Sequence, residues 1–377
     1  MKILHIGKFY LPINGGIESI NHLIVDALKN NQQRVVSFNN SNVSTDEDVD
    51  GVPVIRASSK GMVSSQPLSW RYFKELRRAI KFFNPEIIHF HYPNPLAAFY
   101  LLYSIRENNK LIVHWHSDVV AQRFLKPMVR PLEDKLLKRA DVIIATSPAY
   151  VEASDNLRNF KDKVTVIPCS IDESNFNLKE DDIHMIDCIK NRYDNKPIIF
   201  YVGRHVEYKG IAYLLAAEKK VKQDCTFVIA GNGPLTQQLK KQYKSERIHW
   251  VGRVSDDEMR QYLYAASIFA FPSITRNEAF GVALAEAMYC ECPAVTFTVP
   301  GSGVNWVSID DETGLEVKNK DTEALAQAID SLLSDDGKRC VLSKNAHQRV
   351  MSNFTKAVVV PQYLELYNKL YNLQRGK

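Results

Sequence analysis

The sequence predicts an α/β protein built as two Rossmann-like, doubly wound domains facing across a cleft. Three observations lead there. Short β-rich runs alternate with longer amphipathic ones along nearly all 377 residues, which is how parallel sheets with helical crossovers read. The strand-like runs fall into two series, and together they are more than one sheet ordinarily holds. Between the series lies an acidic stretch, 173–194, without clear periodicity. The break near Ile167–Asp172 gives a first domain over 1–170 and a second over 171–357, with the segment 358–377 packing back on the first.

In chain order, the first series is Lys2–Ile6, Arg34–Phe38, Ile87–His91, Leu111–Trp115, Val142–Thr146 and Val164–Pro168. The second is Ile198–Val202, Thr226–Ala230, Ile248–Val251, Ile268–Phe271 and Ala294–Phe297. Helices are predicted between them at Glu18–Asn30, Trp70–Phe83, Tyr213–Lys222, Pro234–Tyr243, Asp256–Ala266 and Glu323–Leu333. In Val358–Leu373, Tyr363, Leu366, Tyr367, Leu370 and Tyr371 recur at helical spacing. Ligands of such sheets sit beyond the carboxyl ends of the strands, so the cleft between two of them is the default active site.

At 45% apolar and 24% charged, the composition is that of a soluble globular protein. The apolar stretches are too short to span a bilayer, and Met1–Gly7 reads as a buried strand, not a signal peptide. Six cysteines without a C-x-x-C pair fit a reducing, cytoplasmic setting as small core residues. Residues 1–170 carry 22 Lys/Arg against 16 Asp/Glu, and the remainder 26 against 27. The excess positive charge thus lies wholly in the first half, which suggests that this half meets an anionic surface or acceptor.

Four stretches carry chemistry. The loop Lys8–Glu18 holds Gly15-Gly16 just before a helix, where backbone can approach a ligand closely, but it lacks the G-x-G-x-x-G dinucleotide fingerprint. Gly203-Arg204 at a strand end, followed by Lys209-Gly210, sets a bidentate and a compact cation five residues apart, suited to a diphosphate. Gly231-Asn232-Gly233-Pro234 is another glycine loop opening a helix. In Arg276–Glu286, two acids flank an apolar segment: Glu278 before a helix starting at Val282, Glu286 on its second turn. The helix start between them favours a phosphate, and the acids can accept hydroxyls on either side of it. Hexose, diphosphate and ribose have that layout. Taken singly, each stretch also fits an ordinary loop with solvated charges.

Together, Gly203-Arg204-x4-Lys209-Gly210, Gly231-Asn232-Gly233-Pro234, Trp250–Val254 and Glu278-Ala279-Phe280-Gly281-Val282-x3-Glu286 resemble the retaining glycosyltransferases of family 4, which have the GT-B fold. The resemblance covers essentially the whole chain. It implies an N-terminal acceptor domain and a C-terminal domain binding a nucleotide-sugar donor. It implies that Arg204 and Lys209 bind the donor diphosphate and neutralise the leaving group. Glu278 would bind sugar hydroxyls, Glu286 the ribose, the backbone of Ala279, Phe280, Gly281 and Val282 the sugar and phosphate, and Arg253-Val254 the base. His116, in His114-Trp115-His116-Ser117-Asp118, matches a histidine near the donor sugar. His116, Glu278, Arg204 and Lys209 form the expected catalytic set. His89-x-His91 and His114-x-His116 could be misread as metal ligands, but no Asp/Glu set accompanies them and the resembling enzymes are mostly metal-independent. No cofactor beyond the co-substrate is expected. One departure is Cys169-Ser170 where relatives often have Asn-Gly before the linker Ile/Val-Asp.

His116-Ser117-Asp118, Ala145–Tyr150 and Gly301-x-Gly303-x3-Val307 look most like bacterial mannosyl- or rhamnosyltransferases of O-antigen and exopolysaccharide assembly. That makes GDP-mannose the preferred donor and a lipid-linked saccharide the acceptor, with UDP- or dTDP-sugars, a phosphorylase or epimerase, or an idle GT-B-like partner as alternatives. No nucleic-acid partner is expected. In 69–83, an apolar stripe (Trp70, Phe73, Leu76, Ile80, Phe83) runs beside a basic one (Arg71, Lys74, Arg78, Lys81). Such a helix suits either packing on the sheet by its apolar stripe, with a solvated basic face, or lying on anionic lipid. Lys126, Arg130, Lys135, Lys138 and Arg139 reinforce the second reading, and the resemblance implies the inner-membrane face.

Overall fold

The computed structural model describes residues 1–13, 15–63, 66–119 and 126–375, and the side chains of all of these but 63, 126–128, 374 and 375. Asn14 of the first glycine loop, the Lys126 side chain and residues 376–377 lie outside that description. The chain divides into two compact units, Met1–Pro168 with Val359–Lys377, and Cys169–Val358.

The first unit holds strands β1 (Lys2–Ile6), β2 (Gln32–Phe38), β3 (Thr45–Val49), β4 (Val52–Ala57), the ribbon β5 (Met62–Val63) and β6 (Gln66–Pro67), β7 (Ile87–Tyr92), β8 (Lys110–Trp115), β9 (Val142–Ala145) and β10 (Val164–Val166). Its helices are α1 (Gly16–Ala27), α2 (Trp70–Phe83), α3 (Pro95–Leu102), α4 (Lys126–Arg139) and α5 (Pro148–Ala153). The main sheet runs β10-β9-β8-β7-β1-β2-β4-β3, parallel except for β3 against β4. The order reverses between β1 and β7, the switch point where parallel sheets open a crevice. Strands β7 and β8 are buried along nearly their whole length, as strands covered on both faces must be.

The second unit has α6 (Glu180–Arg192), β11 (Ile198–Val202), α7 (Ile211–Glu218), β12 (Thr226–Ala230), α8 (Thr236–Gln242), β13 (Ile248–Gly252), α9 (Asp256–Ala265), β14 (Ile268–Phe271), α10 (Val282–Tyr289), β15 (Ala294–Phe297), α11 (Val304–Val307), β16 (Gly314–Val317), α12 (Thr322–Ser334) and α13 (Asp336–Asn353). Its sheet, β13-β12-β11-β14-β15-β16, is parallel throughout, with its switch point between β11 and β14. A core of Ile199, Leu214, Phe227, Ile229, Val295, Leu325 and Ile329 lies between the sheet and helices α7 and α12. Helix α14 (Lys356–Arg375) follows, and from Val359 onward it belongs to the first unit, where Tyr363 and Tyr367 are buried.

Several elements differ from expectation. The acidic stretch 173–194 contains a helix: Glu180, Asp181 and Asp182 fill the first turn of α6, where negative charge suits the helix dipole. Asp182 is then clamped by Arg260 (2.7 and 3.0 Å) and Gln261 (2.9 Å) of α9, and Arg260 holds its carboxyl well below the usual range. Edge strand β3 has no apolar alternation to reveal it, and β4 carries Pro53, which argues against a central strand. The inner face of α2 is Tyr72, Glu75, Leu76, Ala79 and Ile80; of the expected stripe only Leu76 and Ile80 are buried, and Trp70 is 63% exposed. Tyr72, stacked on Phe38 at 4.0 Å, turns the helix so. Cys340 is exposed and not a core residue, while Cys290 and Cys292 are buried thiols whose pKa burial pushes up. At the linker, Ile171 bridges to the start of α14, donating to Phe354 O and accepting from Lys356 N (2.9 and 3.0 Å).

Candidate active site

In the second unit, the expected donor residues gather where the strands end. The loops after β11, β12 and β13 are knitted by backbone: Gly203 N donates to Ala230 O (3.3 Å), Gly231 N to Gly252 O (2.6 Å) and His205 N to Asn232 O (3.0 Å). That aligns Arg204, Asn232 and Arg253 along one edge of the sheet. The closeness demands glycine at 231: its φ is +99°, and a Cβ there would stand 2.0 Å from Gly203 O. The side chains of Arg204 and Arg253 are exposed and make no hydrogen bond or ion pair among the described residues.

Lys209 and Glu278 meet at the switch point, Lys209 from the loop after β11 and Glu278 from the loop after β14. Lys209 Nζ pairs with Glu278 Oε2, which also accepts from Ser273 Oγ (3.0 Å). The ammonium lies 5.2 Å from the Phe271 ring centroid and 5.7 Å from that of Tyr208. Burial by itself would lower the Lys209 pKa, but the Glu278 carboxylate raises it above its usual value, so the ammonium stays charged. Sequence reasoning does not single out Ser273, Phe271 or Tyr208; the signal that could find them is their position at or beside the ends of β11 and β14, the two strands flanking the switch point.

Helix α10 begins at Gly281, with φ +95°, where a Cβ would press on the Phe271 ring at 3.2 Å. Ala279 and Phe280 are buried, Phe280 edge-on to Phe354 at 5.3 Å, so this stretch offers a ligand backbone and not the Phe280 side chain. The amides of Val282 and Ala283 have no intrahelical acceptor, as at any helix start. Glu286 sits on the second turn, half-buried, and its side chain makes no hydrogen bond or ion pair among the described residues. Burial first, and the charge of Asp256 second, push its pKa up to about 7.

The first unit carries Gly15, Gly16 and His116. Gly15 caps α1 in an extended conformation, and the space around Gly16 is open. The β1–β7 register sets His5 opposite His89, and the β7–β8 register sets His91 opposite His114, with His116 one pleat beyond. One sheet face therefore carries five buried imidazoles. His89 Nε2 lies 3.3 Å from His114 Nδ1, His91 Nδ1 lies 3.0 Å from His116 Nε2, and His89 Nδ1 bonds the Tyr367 hydroxyl of α14. Burial depresses all five, His116 to about 3, so they are neutral. Ring nitrogens of His5, His89 and His91, and of His91, His114 and His116, lie within 4.8 Å of one another. The rings of His89 and His91 are parallel to within 4°, and those of His91 and His116 to within 10°. Asp118 is a pin for the loop, accepting from Trp115 Nε1 (2.9 Å) and Ser154 Oγ (2.8 Å).

Of the basic residues expected to reinforce a membrane face, Arg71 bonds Glu75 (2.8 Å), Arg130 pairs with Asp134 (3.4 Å), and Arg139 donates to the carbonyls of Arg106 and Asn109 (2.8 and 2.7 Å). No helix among the described residues is long and apolar enough to cross a membrane.

Comparison with known proteins fits this geometry. The family model described as Glycosyltransferase Family 4 matches residues 14–175, and that described as Glycosyl transferases group 1 matches residues 185–349. O-antigen chain mannosyltransferase C of Escherichia coli is 26% identical over 98% of this chain and 99% of its own. D-rhamnosyltransferase WbpZ of Pseudomonas aeruginosa is 29% identical over 94% of this chain and 92% of its own. Among solved structures, sucrose-phosphate synthase from Thermosynechococcus elongatus shares the fold with a TM-score of 0.81 at 22% identity, covering 99% of each chain. With both halves matched and the site residues gathered at the strand ends, the chain belongs to the family 4 glycosyltransferases and is an enzyme of the GT-B fold.

Proposed function

We propose that the chain moves a hexosyl group, with retention, from a nucleotide diphosphate sugar to a lipid-linked glycan in bacterial surface polysaccharide synthesis, and that the donor is GDP-mannose. The observation that carries this reading is the Lys209–Glu278 pair at the switch point beside α10, with Glu286, whose side chain has no hydrogen-bond or ion-pair partner among the described residues, on the second turn of that helix. Arg204 and Lys209 meet the diphosphate, Glu278 the sugar hydroxyls and Glu286 the ribose. Gly231, Asn232 and the backbone from Ala279 to Val282 line the donor and Arg253-Val254 faces the base; in the first unit, Gly15, Gly16 and His116 carry the donor-binding role that the family resemblance implies. Retention follows if the acceptor oxygen attacks the anomeric carbon on the face the phosphate leaves, and the departing phosphate takes the acceptor proton. Two full-length relatives named as mannosyl- and rhamnosyltransferases support the sugar class.

A thermal-shift panel of nucleotide diphosphates and their sugars tests the donor, since a ligand binding only the folded state raises its apparent stability. GDP and GDP-mannose are expected to stabilise above all others; a preference for UDP or dTDP would replace the donor.

The same reading places the acceptor at an anionic inner-membrane face. Its support is on α2 and at the end of α3: Trp70, Phe82 and Tyr103 are 63%, 73% and 70% exposed, and Arg77, Arg78, Lys81 and Arg106 line a cavity of about 340 Å³. Exposed aromatics next to cations suit a headgroup layer. In co-sedimentation, vesicles containing phosphatidylglycerol should retain the protein, and Arg78→Glu with Lys81→Glu should release it. Equal retention on phosphatidylcholine alone would remove the electrostatic basis.

A further inference from the structure

We infer that His91 sets the tautomer of His116, so that His116 meets its ligand as an Nδ1–H hydrogen-bond donor. The inference rests on the reading above only where it assigns that ligand as the donor sugar. His116 follows β8, its amide held by Tyr92 O (2.9 Å), and its Nε2 lies 3.0 Å from Nδ1 of His91. The two rings are tilted by only 10°, with centroids 5.2 Å apart. Both are buried, at 1% and 7% exposure, and neutral, so the pair carries two ring protons in all.

One of those protons fills the bridge between the rings, because two neutral imidazoles bond only as donor and acceptor. The other has two places to go. On His91 Nε2 it would be a sealed N–H with no acceptor, for that atom is buried and has no partner among the described residues. His116 is not sealed in this way among the described residues: the residue is 7% exposed, and with Nε2 engaged by His91 its remaining ring nitrogen is Nδ1. His91 Nε2 lacks a partner among the described residues in either tautomer, but a buried N–H without an acceptor is the worse-tolerated of the two orphans, and a donor with access to solvent or ligand avoids it. The second proton therefore sits on His116 Nδ1, and His91 donates from Nδ1 into the bridge.

His91 thereby acts through His116 as a positioning residue. With Nε2 engaged, His116 offers a ligand only Nδ1, and offers it as a donor. Its partner must be an acceptor oxygen, such as a sugar hydroxyl or a phosphoryl oxygen, and His116 cannot serve there as a base.

The test is long-range proton–nitrogen NMR on the full chain labelled with ¹⁵N-histidine, at neutral pH. The wild-type protein is expected to show His116 protonated at Nδ1; protonation at Nε2 overturns the proposal. His91→Phe keeps a ring but removes the bridge, and should leave His116 as a mixture of tautomers, with kcat lower by on the order of tenfold and acceptor KM unchanged. His91→Asn, whose amide N–H occupies the place of Nδ1, should restore both the tautomer and most of the rate. A His116 that stays wholly Nδ1–H in His91→Phe would also overturn the proposal, and if that variant does not fold, the wild-type spectrum decides alone. Should the tautomer behave as expected while His116→Ala keeps full activity, the positioning stands and the assignment of His116 to the donor sugar fails.

Discussion

Lys209→Ala is expected to lower kcat for sugar transfer by about 10³-fold, the effect of removing one preorganised group from charge that develops in the transition state. The charge in question is that of the departing nucleoside diphosphate. Lys209 is fixed in advance by Glu278 and by the faces of Phe271 and Tyr208, so little reorganisation accompanies the reaction. The substitution also leaves the Glu278 carboxylate without its cation. Breaking a buried pair in this way costs about 3 kcal/mol or more, and with the two side chains 16% and 12% exposed a loss nearer about 2 kcal/mol is expected. Stability and chemistry then have to be separated. The double variant Lys209→Met with Glu278→Gln removes the stranded charge, and should recover the urea midpoint while transfer stays abolished. On the proposal that Arg204 and Lys209 neutralise the diphosphate without a divalent ion, wild-type transfer should survive a chelator. Full turnover by Lys209→Ala would sink the assignment of the leaving-group cation.

The elements that position these residues are largely legible in the amino-acid sequence. The glycine at 281, the acid before it and the acid on the second turn describe a helix start, and α10 begins where that reading puts it. The pairing of Lys209 with Glu278 is not legible, because the residues are 69 apart in sequence and meet only because β11 and β14 are neighbours in the sheet. Strand order is a property of the assembled sheet and leaves no local mark on either loop. The histidines show the same limit. Alternation in His89-x-His91 and His114-x-His116 says that each pair shares a face, but bringing them to His5 and to one another takes the β1–β7–β8 register. Helix α2 begins and ends where its periodicity predicts, yet it buries a different face, because Tyr72 and Ala79 count weakly as apolar and Trp70 strongly. Helix α6 has no predicted counterpart because its first turn is acidic, which is a capping signal and not a sign of disorder.

Glu286 carries the second large effect, and it turns on pH. Its carboxyl, raised to about 7 by burial and by Asp256, makes no side-chain bond among the described residues. Two hydroxyls donating to it would favour the charged form and pull that value down. Donor binding should therefore release a proton, and donor affinity should strengthen as pH rises through about 7. Glu286→Ala should weaken the donor about 10- to 100-fold, the worth of a hydrogen bond to a charged group. Glu286→Gln should lose the pH step as well. Stability of the free enzyme must run the other way. A folded pKa raised above the unfolded value of 4.5 gives a contribution that is complete below 4.5 and is lost as pH rises through about 7. Free wild-type protein should thus lose stability across that window relative to Glu286→Gln, while the donor-bound protein should not. Melting curves of both proteins, with and without donor, across that window would show the two slopes. If the slope of free wild-type protein matched that of Glu286→Gln, the carboxyl would be titrating at its ordinary value. If donor left the wild-type slope unchanged, the ribose would lie elsewhere, and the two acids at the mouth of α10 would not be holding the two ends of one ligand.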